Sequence, residues 1–246
     1  MRIIISPAKK MTTDTVLPCE GLPSLIDRSE VLLARLRELS FDECKALWGC
    51  SQRLAELNYE RLQAMDLRRD LTPALLSFEG IQYQYMGATV LDDDAYGYLQ
   101  GHLRILSGLY GVLRPLDGVT PYRLEMQARL SVGDAADLYG FWGSSIHDAV
   151  TEGDRTVVDL ASVEYARCVS AHLGASERLL KVVFGELVDG KVVQKGTLAK
   201  MARGEMVRHL ALNRVEDPGA IRDFTGLGYR FSPELSSEDE YVFLAG

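Results

Sequence analysis

Ile3, Ile4 and Ile5 follow Arg2 without a polar break, and Ser6-Pro7 ends the run. A continuous apolar stretch this short predicts a buried first strand. The period then changes. Leu25, Leu32, Leu33, Leu36 and Leu39 recur at helical spacing, and Ser40 with Glu43 has the form of a capping box opening another short helix. Leu54, Leu57, Leu62 and Met65 predict the apolar stripe of a third helix that starts near Ser51. Residues 66 to 100 lose regularity around Pro73, Gly80 and Gly87, and Asp92-Asp93-Asp94 reads as a solvated loop. Leu103 to Ser107 returns to an apolar run, and Leu138 to Val150 predicts a helix that carries Phe141, Trp142 and Ile146 towards the core.

The C-terminal half reads as strand, helix, hairpin and helix. Thr156 to Leu160 is a short buried strand that runs into a helix ending near His172. At that junction Ser162 and Glu164 mark either a functional corner or an ordinary helix start, with Ser162 as the cap and Glu164 in the first turn. Residues 179 to 187 and 191 to 197 are β-like runs joined at Asp189-Gly190, a strong hairpin signal. Leu198 to Leu212 then predicts a helix with Lys200 and Arg203 on one face and Leu198, Met201, Met206, Leu210 and Leu212 on the other. Gly226-Leu-Gly228 has the form of a helix-hairpin-helix turn, although Tyr229 to Pro233 reads as extended. The fold class expected is α/β: a single mixed domain over residues 1–246, with a central sheet including residues 2 to 6, 103 to 107 and 156 to 160, flanking helices and the hairpin. Strand order stays open.

A length of 246 residues with 47% hydrophobic and 25% charged content supports a sizeable core. No apolar stretch reaches the length of a membrane span and the first apolar run is too short for a signal-peptide core, so a cytoplasmic location is expected. Cys19, Cys44, Cys50 and Cys168 form no Cys-x-x-Cys pair, and the four histidines form no Glu-x-x-His pair. Free thiols, and neither a metal nor a cofactor, are expected.

The net charge of −8 argues against nucleic acid until its distribution is considered. Residues 1 to 11 carry Arg2, Lys9 and Lys10 with no acid, and residues 95 to 130 carry four arginines against Asp117 and Glu125. Residues 191 to 214 carry six cations against Glu205 alone. If these segments meet, an acidic protein presents one basic surface. The middle segment is also rich in punctuation: Gly108, Gly111, Pro115, Gly118 and Pro121 free backbone amides beside Arg104, Arg114 and Arg123, which favours an anion.

Several short motifs together resemble one family over nearly the whole chain. They are Met1-Arg-Ile-Ile-Ile-Ser-Pro-Ala-Lys-Lys10, Leu106-Ser-Gly-Leu-Tyr-Gly111, Arg114-Pro-Leu-Asp117 and Pro121-Tyr-Arg-Leu-Glu-Met126. Leu138-Tyr-Gly-Phe-Trp142, Leu160-Ala-Ser-Val-Glu-Tyr165, Lys200-Met-Ala-Arg-Gly-Glu-Met206 and Gly228-Tyr-Arg-Phe231 complete the set. In order and spacing they resemble the YaaA family of bacterial peroxide-stress proteins. One departure is Asp159, where the resemblance leads to an expectation of asparagine.

The resemblance implies a cytoplasmic protein that limits hydrogen peroxide damage, helps keep free iron low and binds DNA through a basic cleft. Two readings follow. In the first, Lys9, Lys10, Arg104, Arg114, Arg123, Lys200 and Arg203 line one groove and contact the phosphates of double-stranded DNA with little sequence preference. In the second, an enzyme of unknown reaction takes a small anionic ligand, with Ser6, Ser107, Tyr122, Glu125, Ser162 and Glu164 as its polar residues. A wide basic groove favours the first; a narrow pocket holding Glu125 and Glu164 favours the second.

Overall fold

A computed structural model describes every residue except Val16. The chain opens with β1 (Arg2–Ile5) and the two-residue β2 (Lys10–Met11), then three helices, α1 (Ile26–Arg37), α2 (Phe41–Trp48) and α3 (Gln52–Ala64). Short elements follow: β3 (Thr72–Pro73), α4 (Ala74–Ser77), β4 (Phe78–Glu79) and α5 (Ile81–Met86). Next come α6 (Asp93–His102), β5 (Leu103–Ser107), β6 (Gly111–Leu113) and β7 (Gly118–Val119). The second half holds α7 (Leu138–Trp142), α8 (Ser145–Thr151), β8 (Thr156–Leu160), α9 (Val163–Ser170), β9 (Arg178–Val188) and β10 (Lys191–Val193). It ends with α10 (Gly196–Leu212), β11 (Tyr229–Phe231) and β12 (Glu240–Ala245).

The architecture is α/β around one mixed sheet in the order β11-β12-β9-β8-β1-β5-β6, with β10 hairpinned onto β9. Its middle is parallel: β1 pairs in parallel with β5 on one side and with β8 on the other, and β8–β9 and β9–β12 are parallel too. Antiparallel pairing is confined to β5–β6, β9–β10 and β11–β12. A strand covered on both faces has no use for alternation, so Ile3, Ile4 and Ile5 are all fully buried, as are Val157, Val158 and Leu160.

The three strands expected from their apolar runs are the heart of this sheet, and the capping box is present: Glu43 N–H donates to Ser40 Oγ while the Glu43 carboxylate accepts from Ser40 N–H at 2.8 Å. Other expectations are corrected. Asp92 to Asp94 is no loop; the Asp92 carboxylate caps α6 by accepting from Ala95 N–H at 2.8 Å. The stretch from Leu138 to Val150 is two helices, because Gly143 at φ 51° breaks the turn between α7 and α8. In α3 the inward face is Ala55, Asn58 and Leu62, and Leu54 and Leu57 are exposed. Gly226-Leu-Gly228 is a 3-10 turn leading into β11 and not a helix-hairpin-helix.

One close approach sets the position of the basic helix. α10 lies against α5 so tightly that a Cβ on Gly204 would sit 2.1 Å from the Gln82 carbonyl oxygen. Glycine is required there, and it fixes Arg203 beside the face of α5.

Candidate anion-binding cleft

In a parallel sheet the chain leaves each strand at its carboxyl end, and a crevice opens where the connections from neighbouring strands diverge to opposite sides. Here that point lies beyond β1 and β8: from β1 the chain goes on to β5 on one side, and only later supplies β8 on the other. The first residues past those ends are Ser6 and Ala161-Ser162. Ser162 N–H donates to Ser6 Oγ at 2.8 Å, and the Ser6 hydroxyl donates to Ser162 Oγ at 3.1 Å. Ser162 occupies the cap position of α9, yet its hydroxyl caps no amide of that helix. The expected side-chain cap is therefore corrected: Ser162 starts the helix, and its hydroxyl meets Ser6 at the end of the other strand.

Around this serine pair is a cavity of about 540 Å³. Lys9, Tyr122, Arg123 and Glu125 line it from loops, Lys10 from β2, Glu164 from the first turn of α9, and Lys200 and Arg203 from α10. Tyr83, from α5, donates its hydroxyl hydrogen to the Ser6 carbonyl at 3.0 Å. The acids are tied to neighbours. Lys9 Nζ is 2.8 Å from Glu125 Oε1, Arg123 Nη2 is 3.7 Å from the same oxygen, and Lys10 pairs with Glu79 across the β2–β4 ladder. Glu164 Oε1 accepts from Gln127 N–H at 3.1 Å, and burial holds its carboxyl above the usual range despite that bond.

Arg203 is half-buried and lines the same cavity as the lysines. Burial lowers its pKa, opposed by the charge of Asp159 on β8. Asp159 is itself pushed up to about 6 by burial, while its Oδ1 accepts from Ala161 N–H at 2.8 Å and so shapes the turn into Ser162. The Nε of Arg203 and the Nε2 of Gln82, both on the cleft wall, are buried without an acceptor among the described residues.

Of the residues expected at the site, Ser6, Lys9, Lys10, Tyr122, Arg123, Glu125, Ser162, Glu164, Lys200 and Arg203 meet here. Three do not line it. Arg104 sits near the start of β5, away from the strand's carboxyl end; it is 5% exposed and donates to the carbonyls of Leu103 and Gln100 at 2.7 and 3.3 Å. Arg114 follows β6, which runs antiparallel to β5 and carries the chain back from that end; it lines a separate depression with Gln100 and Leu116. Ser107 is fully buried one layer down, 2.7 Å from the Tyr122 hydroxyl, and its Oγ accepts from Tyr110 N–H at 2.9 Å. The expectation of a single groove shared by all the arginines is therefore corrected: only Arg123 and Arg203 belong to it. The sequence signals miss Gln82 and Tyr83 because α5 is six residues long and too short to show a period, and they miss Tyr165 because an aromatic residue in the first turns of α9 reads as core packing.

The fold and cleft define an α/β protein with a cationic, carboxylate-containing crevice at the carboxyl ends of its central parallel strands. The family model described as Peroxide stress protein YaaA matches residues 1–235. The chain is 49% identical over 247 residues to a UPF0246 protein of Lachnoclostridium phytofermentans, covering 100% of this chain and 97% of that relative. It is 48% identical over 245 residues to a UPF0246 protein of Lactiplantibacillus plantarum, covering 99% of each. The chain belongs to the peroxide stress protein YaaA family.

Among the described residues no helix is long and apolar enough to cross a membrane, and no three His, Cys, Asp or Glu side chains gather as a metal site.

Proposed function

We propose that this chain serves the peroxide stress response in the cytoplasm by holding a small phosphate-bearing molecule in the Ser6–Ser162 cleft. The observation that carries this reading is Arg203: a half-buried guanidinium that lines the same cavity as two serine hydroxyls, at the crevice where open α/β sheets take their ligands. Five cations outnumber three carboxylates on the cleft wall, which suits a ligand that carries both an anionic group and hydrogen-bond donors such as sugar hydroxyls. Glu125 and Glu164 within the same space supply acid and base capacity should the ligand be transformed. Keeping free ferrous iron low is the protective effect in view, since that ion turns peroxide into radicals, and the ligand-bound state would be the one that acts.

Isothermal titration with inorganic phosphate, ribose 5-phosphate and AMP tests the reading. At least one should bind the wild-type chain, with at least tenfold loss in Arg203→Gln. Absence of binding by all three defeats it.

A second reading has its own observation. Lys9 and Lys10 carry side chains 64% and 76% exposed, and Lys200 is exposed on the same rim. Such a rim suits the phosphates of duplex DNA lying across the mouth of the cleft, held without base readout.

A further inference from the structure

The Lys9–Glu125 ion pair has open space on both sides. One side is the Ser6–Ser162 cleft; the other is a second cavity of about 820 Å³, walled by α1, α2 and the 125–131 segment. Lys9 and Glu125 are the two residues common to both, so the pair forms the partition between them.

The charges of the second cavity are unequally committed. Glu43 is consumed by the capping box, its carboxylate accepting from Ser40 N–H at 2.8 Å and from the Ser40 hydroxyl at 2.7 Å. Arg35 braces the wall, donating to the Ser131 carbonyl at 3.1 Å and pairing with Glu38 at 3.1 Å. Arg129 is exposed and makes no ion pair among the described residues. Trp48, 6% exposed on the same wall, has a buried indole N–H without an acceptor among the described residues. What the second cavity offers is therefore the uncommitted positive charge of Arg129, since Glu43 is held by Ser40 and Glu125 by Lys9 and Arg123.

The two members of the partition differ in exposure, Glu125 at 23% and Lys9 at 64%. Glu125 is held from beneath by Arg123, which also donates to the Trp48 carbonyl at 3.4 Å, and the backbone carbonyl of Glu125 accepts from Ala128 N–H at 3.1 Å. Lys9 is 64% exposed, so its ion pair with Glu125 is solvated and a weak tie. An arriving anion can take Lys9 while Glu125 keeps Arg123.

We infer that the two cavities are one extended site whose ligand is a bis-anion, with one phosphate at Arg203 and the serine pair and a second anionic group at Arg129. This rests on the phosphate-binding reading of the first cleft. Isothermal titration of the full chain with ribose 5-phosphate and with fructose 1,6-bisphosphate separates the two claims. The bisphosphate should bind at least tenfold more tightly than the monophosphate. Arg129→Gln should erase that advantage and leave the monophosphate within twofold, Arg129→Glu should reverse it, and Arg203→Gln should weaken both ligands. A bisphosphate no tighter than the monophosphate, or an Arg129→Gln variant that weakens both equally, overturns the extended site and leaves the first cleft standing. If neither ligand binds, both readings fall together.

Discussion

Ser6 and Ser162 touch across 156 positions of sequence, their hydroxyl oxygens 3.1 Å apart and the Ser162 amide 2.8 Å from Ser6 Oγ. The contact follows from β1 and β8 being parallel neighbours that end at the same level. It makes the two serines unequal. Ser6→Ala removes the acceptor for the Ser162 amide and should lower stability by about 1 kcal/mol in urea unfolding. Ser162→Ala keeps that amide bond, loses only the contact between hydroxyls, and should cost less than half as much.

Two glycines on helices should respond in opposite directions to alanine. At Gly204 a Cβ would lie 2.1 Å from the backbone oxygen of Gln82, and neither α5 nor α10 can move away without unpacking the core. Gly204→Ala should cost about 3 kcal/mol or more. Gly97, on the exposed side of α6, has nothing within 4 Å of the added methyl. Gly97→Ala should raise stability by about 0.5 kcal/mol through helix propensity. Thermal melts of both variants, run together, check the contrast.

Asp159 links stability to pH in the sense opposite to a salt-bridged aspartate. Burial pushes its carboxyl up to about 6, with the Ala161 amide, Arg203 and Lys181 pulling it down, so the folded chain holds this proton more tightly than the unfolded chain does near 3.9. The contribution to stability is complete below about pH 4 and is lost as pH rises through about 6. Asp159→Asn keeps an oxygen for the Ala161 amide and removes the titration. It should be more stable than the wild type at neutral pH by on the order of 2 kcal/mol, with the difference gone near pH 4. Asp117, pushed up to about 6 by its own burial, gives both proteins a shared slope. Urea unfolding at pH 4, 5.5 and 7 reads the difference.

The rim lysines make the DNA reading measurable. Duplex binding followed by fluorescence anisotropy should be weak, indifferent to sequence and steeply weakened by salt. Replacing Lys200 and Arg203 together with alanine should make the log–log salt slope shallower by roughly one unit per lost phosphate contact. No binding at low salt, or an unchanged slope in the double variant, removes DNA from consideration and leaves the small ligand.

Much of the sheet was legible because buried parallel strands write themselves as short unbroken apolar runs: Ile3 to Ile5, Leu103 to Ser107 and Thr156 to Leu160 all read correctly. The hairpin at Asp189-Gly190 was legible from its turn chemistry, with Asp189 and Gly190 both at positive φ. That β9 also pairs with β8 and with the C-terminal β12 was not, because partner choice depends on packing between distant segments. For the cleft, charge clustering found Lys9, Lys10, Arg123, Lys200 and Arg203 but also drew in Arg104 and Arg114. Charge along a sequence carries no information about which end of a strand a residue occupies. Arg104 near the start of β5 and Arg114 past β6 lie on the wrong side of that distinction.

The central position of β1 also has a cost during synthesis. Its Ile-Ile-Ile run leaves the ribosome before either neighbour, since β5 and β8 lie about 100 and 155 residues further on. At roughly 5 to 20 residues per second, the second edge of that strand waits on the order of 10 to 30 seconds for its partner. Through that interval an apolar strand with open hydrogen-bonding edges is the segment most exposed to misassociation. The burial that makes β1 the keystone of the finished sheet makes it the part of the nascent chain with most to gain from a chaperone.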